Sequence, residues 1–156
     1  MKPQIGISEE NLSTVSYELN KLLADELLLY IKTRKAHWNV EGPDFYSKHK
    51  FFEDQYEQLD EVMDDLAERI RSLGHYAIAS IAEFSGLTHL TEQTRGKNDG
   101  AGFIKELLMD HESLITRLRI NIVRFAEEFK DQGSSDFITS LMERHEKMAW
   151  MLRAHL

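Results

Sequence analysis

Histidine and carboxylate side chains recur one helical turn apart in the segment that runs from residue 35 to residue 74. His49 precedes Glu53 by four residues, and Asp64 precedes Glu68 by four residues. In an α-helix this spacing places both members of a pair on one face, where they can bind the same ion. Imidazole and carboxylate ligands without thiolate favour iron, zinc or manganese. The segment therefore carries two candidate half-sites for a metal ion.

The two half-sites are too far apart to share one ion within a single chain. Fifteen residues separate His49 from Asp64, which is about 22 Å along a helix. All four side chains fall in one sector of the helix, roughly 115° from its apolar stripe. If all four are ligands, two antiparallel copies of the helix must meet, and the metal site lies between subunits.

Two structural interpretations compete with a metal site. Acidic residues on a long helix usually form a solvated face, and this applies to each carboxylate taken singly. His37 follows Leu19 by eighteen residues, or five full turns, so it returns to the apolar sector of its helix. A buried, hydrogen-bonded histidine explains His37 as well as a ligand does, and periodicity leaves the alternatives open.

The spacing of apolar residues predicts two long helices around this segment. The first begins at Ser8 and runs to about Trp38. A turn at residues 39–44 follows, with Asp44 as the expected N-cap of the second helix and Gly74 as its end. The second helix carries an apolar stripe formed by Phe52, Tyr56, Leu59, Met63, Leu66, Ile70 and Leu73.

A long connection at residues 75–100 separates the second helix from the third. Its apolar segment, residues 77–84, is long enough for two helical turns. A helix of ~29 residues is ~43 Å long, whereas 25 extended residues reach ~80 Å, so the connection can cross the whole bundle. The third helix is predicted at residues 101–130, and the fourth runs from an N-cap at Ser134 or Ser135 to the C-terminus. The predicted fold is all-α, a ferritin-like four-helix bundle with a long crossover that carries a short extra helix.

Composition and charge restrict the class of protein. A chain of 156 residues with 42% hydrophobic content suits a single domain, predicted at residues 1–156 with a short N-terminal tail at residues 1–7. The absence of cysteine excludes disulfides and thiolate ligands. No apolar run approaches the ~20 residues of a membrane span, and no signal pattern is present, so we predict a cytoplasmic protein without membrane contact. The net charge of −8 disfavours nonspecific binding to nucleic acid.

Two segments resemble one known family. KAHWNVEGPDFYSKHKFFEDQYEQLDEVMDDLAERI resembles the signature region of the Dps family, the ferritin-like DNA-binding proteins from starved cells, and HEKMAWMLRAHL resembles that family's last helix. The resemblance covers essentially the whole chain. It implies a hollow homo-oligomeric shell of twelve subunits that oxidises iron(II), preferentially with hydrogen peroxide, and stores ferric mineral inside. It also implies ferroxidase centres at two-fold interfaces between subunits.

The resemblance assigns metal ligands by position in the motif. His37 and His49 match the histidines that one chain supplies, and Asp64 and Glu68 match the pair supplied by its partner. Glu68 is implied to bridge or to bind the most tightly held iron. Glu53 stands where the family usually has Asp, and its longer side chain keeps the charge.

Further roles follow from the resemblance with simple structural alternatives beside them. Trp38 matches a tryptophan that intercepts stray oxidising equivalents, although packing at a helix end explains it equally well. Three acidic residues are candidates for mineral nucleation, or form a plain acidic surface: Asp54, Glu57 and Glu61. Three on the fourth helix are weaker candidates for an entry pore: Asp136, Glu143 and Glu146. The remaining histidines are interpreted as structural or surface residues: His75, His89, His111, His145 and His155.

The main hypothesis is an iron-storing ferroxidase that removes peroxide. Members of the family that condense DNA commonly use a tail rich in Lys and Arg, whereas Lys2 is the one basic residue before Ser8. Direct DNA binding is therefore disfavoured. The alternatives are a protein that coats nucleoid DNA with secondary iron chemistry, and a helical oligomer without redox function whose acidic face is solvated.

Overall fold

The computed structural model describes residues 3–92 and 96–156, so that Lys2 lies outside the described residues. Four long helices and one short helix occupy these ranges: α1 (Glu9–Asn39), α2 (Phe45–Ser72), α3 (Ile81–Leu87), α4 (Gly100–Glu127) and α5 (Gln132–Arg153). No strand is present in these ranges, where an isolated bridge joins Glu41 to Asp99. No helix in the described part of the chain has the length and apolarity to cross a membrane. The predicted all-α class is confirmed.

Contacts between the long helices fix their directions. Lys32 of α1 lies 3.2 Å from Glu106 of α4, whereas Glu18 lies 3.8 Å from Arg124, so α1 and α4 are antiparallel. Contacts of the same kind show that three further pairs of helices are antiparallel: α1 with α2, α2 with α5, and α4 with α5. It follows that α2 and α4 run parallel. The connection between them therefore spans the bundle and carries α3, as predicted.

The core lies between the four long helices. The apolar stripe of α2 is buried at five positions: Phe52, Leu59, Leu66, Ile70 and Leu73. Met63 packs against this core while remaining partly exposed, and Tyr56 is half-buried. Burial of each large aliphatic side chain contributes about 1.5–3 kcal/mol relative to an exposed one. The stripe therefore fixes which face of α2 turns outward.

Most predicted helix ends agree with the structure. Ser8 is the N-cap of α1 and accepts a hydrogen bond from the backbone N–H of Asn11. Gly74, with φ of +87°, lies just beyond the end of α2, in a conformation that favours glycine. Asp44 occupies the N-cap position of α2, but its side chain makes no capping hydrogen bond.

The predicted start of the fourth helix is wrong. Asp131, rather than Ser134 or Ser135, is the N-cap of α5, and its carboxylate accepts from the backbone N–H of Ser134 at 2.9 Å. Arg69 of α2 lies 3.3 Å from the same buried carboxylate. Ser135 instead donates to a backbone carbonyl of α4. The earlier cap thus combines a local capping bond with a contact to α2, which is distant in sequence.

Two other boundaries differ from the prediction. The third long helix, α4, ends at Glu127, and Lys130 has a φ of +57° in the tight reversal into α5. In the crossover, α3 begins four residues after the start of the predicted segment. Its N-terminus is fixed by a capping box between Ser80 and Glu83, which satisfies backbone donors at both residues.

Candidate metal centre

His37 and His49 face each other across the turn between α1 and α2. Nδ1 of each ring donates to the backbone carbonyl oxygen of the other residue at 2.8 Å. The rings stack with centroids 3.7 Å apart and an interplanar angle of 21°. Because a carbonyl oxygen only accepts, Nδ1 carries the proton in each neutral ring, and both Nε2 lone pairs remain available. The pair therefore presents two nitrogen ligands of fixed tautomer.

The turn itself brings these histidines together. Val40 is buried at the end of α1, and Gly42 has a φ of +133°, a conformation that side chains disfavour. Three residues later the chain enters α2, which runs in the opposite direction to α1. Burial of His37 (8% exposed) is thus compatible with both interpretations of this residue, since its Nδ1 is hydrogen-bonded while its Nε2 is not committed to that bond.

Glu53 lies one turn after His49 on α2 but is engaged by a neighbouring cation. Nζ of Lys50 donates to its carboxylate at 2.5 Å. This hydrogen bond holds the pKa of Glu53 below its usual value, and the imidazoles of His37 and His49 act in the same direction. The carboxylate is therefore ionised at neutral pH, and a metal ion that binds its Oε2 competes with Lys50. Lys50 was not among the predicted site residues, although its i,i+3 spacing to Glu53 indicates an ion pair on one face of a helix.

Asp64 and Glu68 form a separate pair farther along α2. Both are exposed, and neither side chain makes a hydrogen bond or ion pair with another described residue. Within residues 3–92 and 96–156, no three His, Asp or Glu side chains converge closely enough to hold a metal ion. One protomer thus brings His37, His49 and Glu53 to one end of α2 and keeps Asp64 and Glu68 apart from them. A centre shared between chains stays a prediction.

An arginine and aromatic rings surround the histidine pair. The guanidinium of Arg34 lies 4.3 Å from the ring centroid of Tyr56, 5.1 Å from that of Trp38 and 5.6 Å from that of Tyr30. Tyr56 makes an edge contact with His37 at 5.2 Å. Trp38 is 64% exposed, so within one protomer it is not a packed helix end. The sequence did not predict Arg34 or Tyr56 as neighbours of the candidate centre. Tyr56 was interpreted only as part of the apolar stripe of α2.

The weaker candidates are distributed along α2 and α5. Asp54, Glu57 and Glu61 are all exposed, and Glu61 also lies 2.9 Å from Arg144 of α5. On α5, Glu146 forms an ion pair with Arg119 of α4. Asp136 and Glu143, on the same helix, are exposed. Their roles in nucleation or in a pore stay predictions.

Two of the remaining histidines form a buried polar chain in the bundle core. Nδ1 of His111 lies 3.0 Å from Nδ1 of His145, and Nε2 of His145 lies 2.8 Å from a carboxylate oxygen of Glu26. Burial lowers the pKa of His111 well below its usual value, and His145 adds to this effect. Because His145 uses opposite ring nitrogens for its two neighbours, the three groups do not converge on one point. The other histidines are at least partly exposed: His75, His89 and His155.

Comparison with known proteins places this arrangement in a family. The chain matches the family model for the ferritin-like domain over residues 17–156. It is 35% identical over 138 residues to the DNA protection during starvation protein of Helicobacter pylori, covering 88% of this chain and 95% of that protein. It is 45% identical over 152 residues to a low temperature-induced protein of Nostoc sp., covering 97% and 85%.

A solved structure gives the same result. The crystal structure of a Dps protein from Vibrio cholerae O1 superposes with a TM-score of 0.90 at 31% identity, covering 98% of this chain and 95% of that chain. The all-α architecture, with its crossover between α2 and α4, agrees with this superposition. The chain therefore belongs to the Dps family of ferritin-like proteins.

Proposed function

We propose that the protein is a ferroxidase that oxidises iron(II) with hydrogen peroxide and stores the ferric product inside a shell of twelve identical chains. The observation that carries this proposal is the reciprocal bonding of His37 and His49, which leaves two Nε2 atoms available at the end of α2 that also carries the ionised carboxylate of Glu53. The Vibrio cholerae relative is described as a member of a superfamily of ferritin-like diiron-carboxylate proteins, which supports iron as the metal.

The centre is proposed to be completed by a second chain. His49 and Glu68 are nineteen residues apart, about 28 Å along α2, so they cannot serve one ion in the same chain. A two-fold axis beside α2 would place Asp64 and Glu68 of one protomer opposite His37, His49 and Glu53 of its partner. The exposure of Asp64 and Glu68 and their freedom from described ion pairs support this arrangement.

Iron is the substrate of this reaction. Two iron(II) ions supply the two electrons that convert one hydrogen peroxide, with two protons, to two waters. The chain's own residues bind and orient the ions: imidazole nitrogens from His37 and His49, and carboxylates from Glu53, Asp64 and Glu68. Removing iron(II) and peroxide together suppresses hydroxyl-radical chemistry. Trp38 is proposed to intercept oxidising equivalents that leave the centre.

Anaerobic titration with iron(II), followed by peroxide, tests this function on particles sized by light scattering. We expect particles of about twelve times the 18.2 kDa chain mass, and consumption of one peroxide for two iron(II) ions. A His37→Ala/His49→Ala double variant that still assembles should lose the fast phase. A stable monomer, or unchanged oxidation in the double variant, would contradict the proposal.

DNA protection is the second candidate function, because relatives from Helicobacter pylori and Brevibacillus brevis carry that name. The net charge of −8 opposes direct phosphate contact. Gel retardation at low salt distinguishes a DNA-coating protein from a ferroxidase. Iron-dependent peroxide consumption distinguishes both from an oligomer without redox function.

A further inference from the structure

A second polar cluster lies where the crossover packs against α1 and α4, and it has no part in the candidate metal centre. Oδ2 of Asp25, on α1, lies 2.6 Å from Nδ1 of His89, which follows α3. Nε2 of the same ring lies 3.0 Å from Oγ of Ser113, on α4. A carboxylate, an imidazole and a hydroxyl thus form a linear chain, in the order used by hydrolases with an activated serine.

The buried end of this chain is rigidly held. Asp25 is 0% exposed. Its Oδ1 accepts from the hydroxyl of Thr88 and from the backbone N–H of His89, each at 2.8 Å. Its Oδ2 is therefore left to accept from Nδ1–H of His89, so that in the neutral ring the Nε2 lone pair points towards Ser113. The hydroxyl of Ser113 donates to that lone pair, as a nucleophile does to its general base.

Attachment of the crossover explains only part of this arrangement. The three hydrogen bonds to Asp25 already hold Thr88 and His89 against α1. The contact with Ser113 is at the surface, because both Ser113 and His89 are exposed residues. These two side chains line an open cavity with Thr116, Arg117 and Ile120. A reactive hydroxyl at this position is accessible to a small molecule.

We propose that Ser113 is an activated nucleophile that reacts with activated acyl esters, with His89 as general base and Asp25 as the positioning residue. Oγ of Ser113 forms a bond to the acyl carbon, and its proton passes to Nε2 of His89. The carbon–oxygen bond to the leaving group breaks, and His89 gives its proton to that group, or to solvent where the group leaves as a stable anion. The neutral His89 then takes a proton from a water that attacks the acyl carbon. The bond between this carbon and Oγ breaks, Oγ receives the proton from His89, and a carboxylic acid is released.

Arg117 sets the range of esters that this site can use. The backbone N–H groups in the middle of α4 are committed to the helix, so they cannot stabilise an oxyanion. Arg117 lies one turn after Ser113, borders the same cavity, and has Nη1 3.6 Å from Oδ2 of Asp25 with 28% of its side chain exposed. A single side-chain cation that also faces Asp25 is a weaker oxyanion site than two backbone amides aimed at the oxyanion. We therefore expect reaction with aryl esters and fluorophosphonates, whose leaving groups are good, and not with amides.

Covalent labelling of the full-length, assembled protein tests the proposal. A fluorophosphonate probe should add one label per chain at Ser113 by peptide mass spectrometry, and p-nitrophenyl acetate should acetylate the same residue. Ser113→Ala should abolish both reactions, and His89→Gln should slow labelling by about 10²-fold or more. Thr116→Ala removes a hydroxyl from the same cavity and should react like the wild type.

Asp25→Asn tests the positioning role. The amide oxygen can still accept from Thr88 and His89, but its N–H₂ faces Nδ1 and selects the other imidazole tautomer, so labelling should fall while the assembly persists. If this variant does not fold, His89→Gln decides. No adduct at Ser113, an equal adduct at Thr116, or labelling of Ser113 that is unchanged in His89→Gln overturns the proposal. His49→Ala should label normally, which separates this site from the proposed ferroxidase.

Discussion

His37 and His49 are joined by two reciprocal hydrogen bonds, in which Nδ1 of each ring donates to the backbone carbonyl oxygen of the other residue at 2.8 Å. Partners of this kind orient metal-binding histidines in proteins generally. Here the acceptor is backbone, so replacing one side chain leaves the acceptor of the other in place. Single substitutions at these positions therefore remove one ligand without releasing the other.

The first prediction tests whether the proposed centre is shared. Homogeneous His49→Ala and Glu68→Ala proteins should each lose fast oxidation of iron(II) by peroxide, because every centre lacks one ligand. Co-expressed in one shell, the two variants should recover part of that activity. Each mixed dimer then holds one doubly damaged centre and one intact centre.

The recovered rate should rise with the fraction of mixed dimers, measured by native mass spectrometry of differently labelled chains. Shells made from one variant under the same conditions provide the control. If mixed dimers are present and the shells remain as inactive as their parents, the shared centre is wrong.

The second prediction concerns Lys50, which occupies the carboxylate of Glu53. Lys50→Met should strengthen binding of Co²⁺, a redox-inert substitute for iron(II), by about two- to fivefold, since an exposed ion pair is a weak competitor. Lys50→Arg keeps the charge and should bind Co²⁺ like the wild type. Equilibrium titration followed by visible absorption measures the difference, and equal affinities in all three proteins would exclude competition by Lys50.

The third prediction concerns nucleic acid. With a net charge of −8, few phosphates can be neutralised, so we expect no retardation of duplex DNA at physiological ionic strength in metal-free buffer. Retardation that requires added Mg²⁺ would indicate metal bridging between acidic surfaces. Tight, salt-sensitive binding without metal would contradict the expectation.

The fourth prediction concerns acid. Burial and His145 lower the pKa of His111 in the folded chain, so below about pH 6.5 the unfolded chain takes up a proton that the folded chain does not. The free energy of unfolding must then decrease as pH falls through that value, until His111 also protonates in the folded state. His111→Asn cannot titrate and should show a shallower loss of stability as the pH falls below about 6.5. Thermal unfolding of both proteins across this range measures the difference, and parallel pH profiles would refute it.

The fifth prediction concerns the start of α5. Asp131→Ala removes the N-cap and the buried partner of Arg69, and should lower the free energy of unfolding by about 1–2 kcal/mol. Gln132→Ala changes an exposed neighbour in the first turn and should have almost no effect. Denaturant unfolding under matched conditions compares the two variants. Equal stabilities would show that Asp131 does not cap the helix in solution.

The periodicity of apolar residues and the lengths of the connections predicted the helices, the buried face of α2 and the crossover. The stripe from Phe52 to Leu73 defined the buried face of α2, and the length of the connection to α4 predicted the crossover. The start of α5 was mispredicted because Arg69, more than sixty residues earlier, contacts Asp131. The spacing of residues along the chain does not predict contacts between residues that are distant in sequence.

In the candidate metal centre, too, some features could be predicted from the sequence and others could not. The pairing of His49 with Glu53, and of Asp64 with Glu68, follows from helical spacing. The mutual hydrogen bonds of His37 and His49 depend on the turn at Gly42, and the position of Arg34 among three aromatic rings depends on how α1 packs on α2. Those features require the tertiary structure.

The position of all proposed ligands along α2 and the end of α1 has a consequence for the newly synthesised chain. Because no described group of three potential ligands converges within a protomer, a shared centre would make the isolated chain inert towards iron and peroxide. Oxidation would start only when two chains meet, and its onset would follow second-order kinetics in protomer concentration. Assembly would then act as the activating step, so that oxidants are consumed only where a compartment for the mineral is already being built.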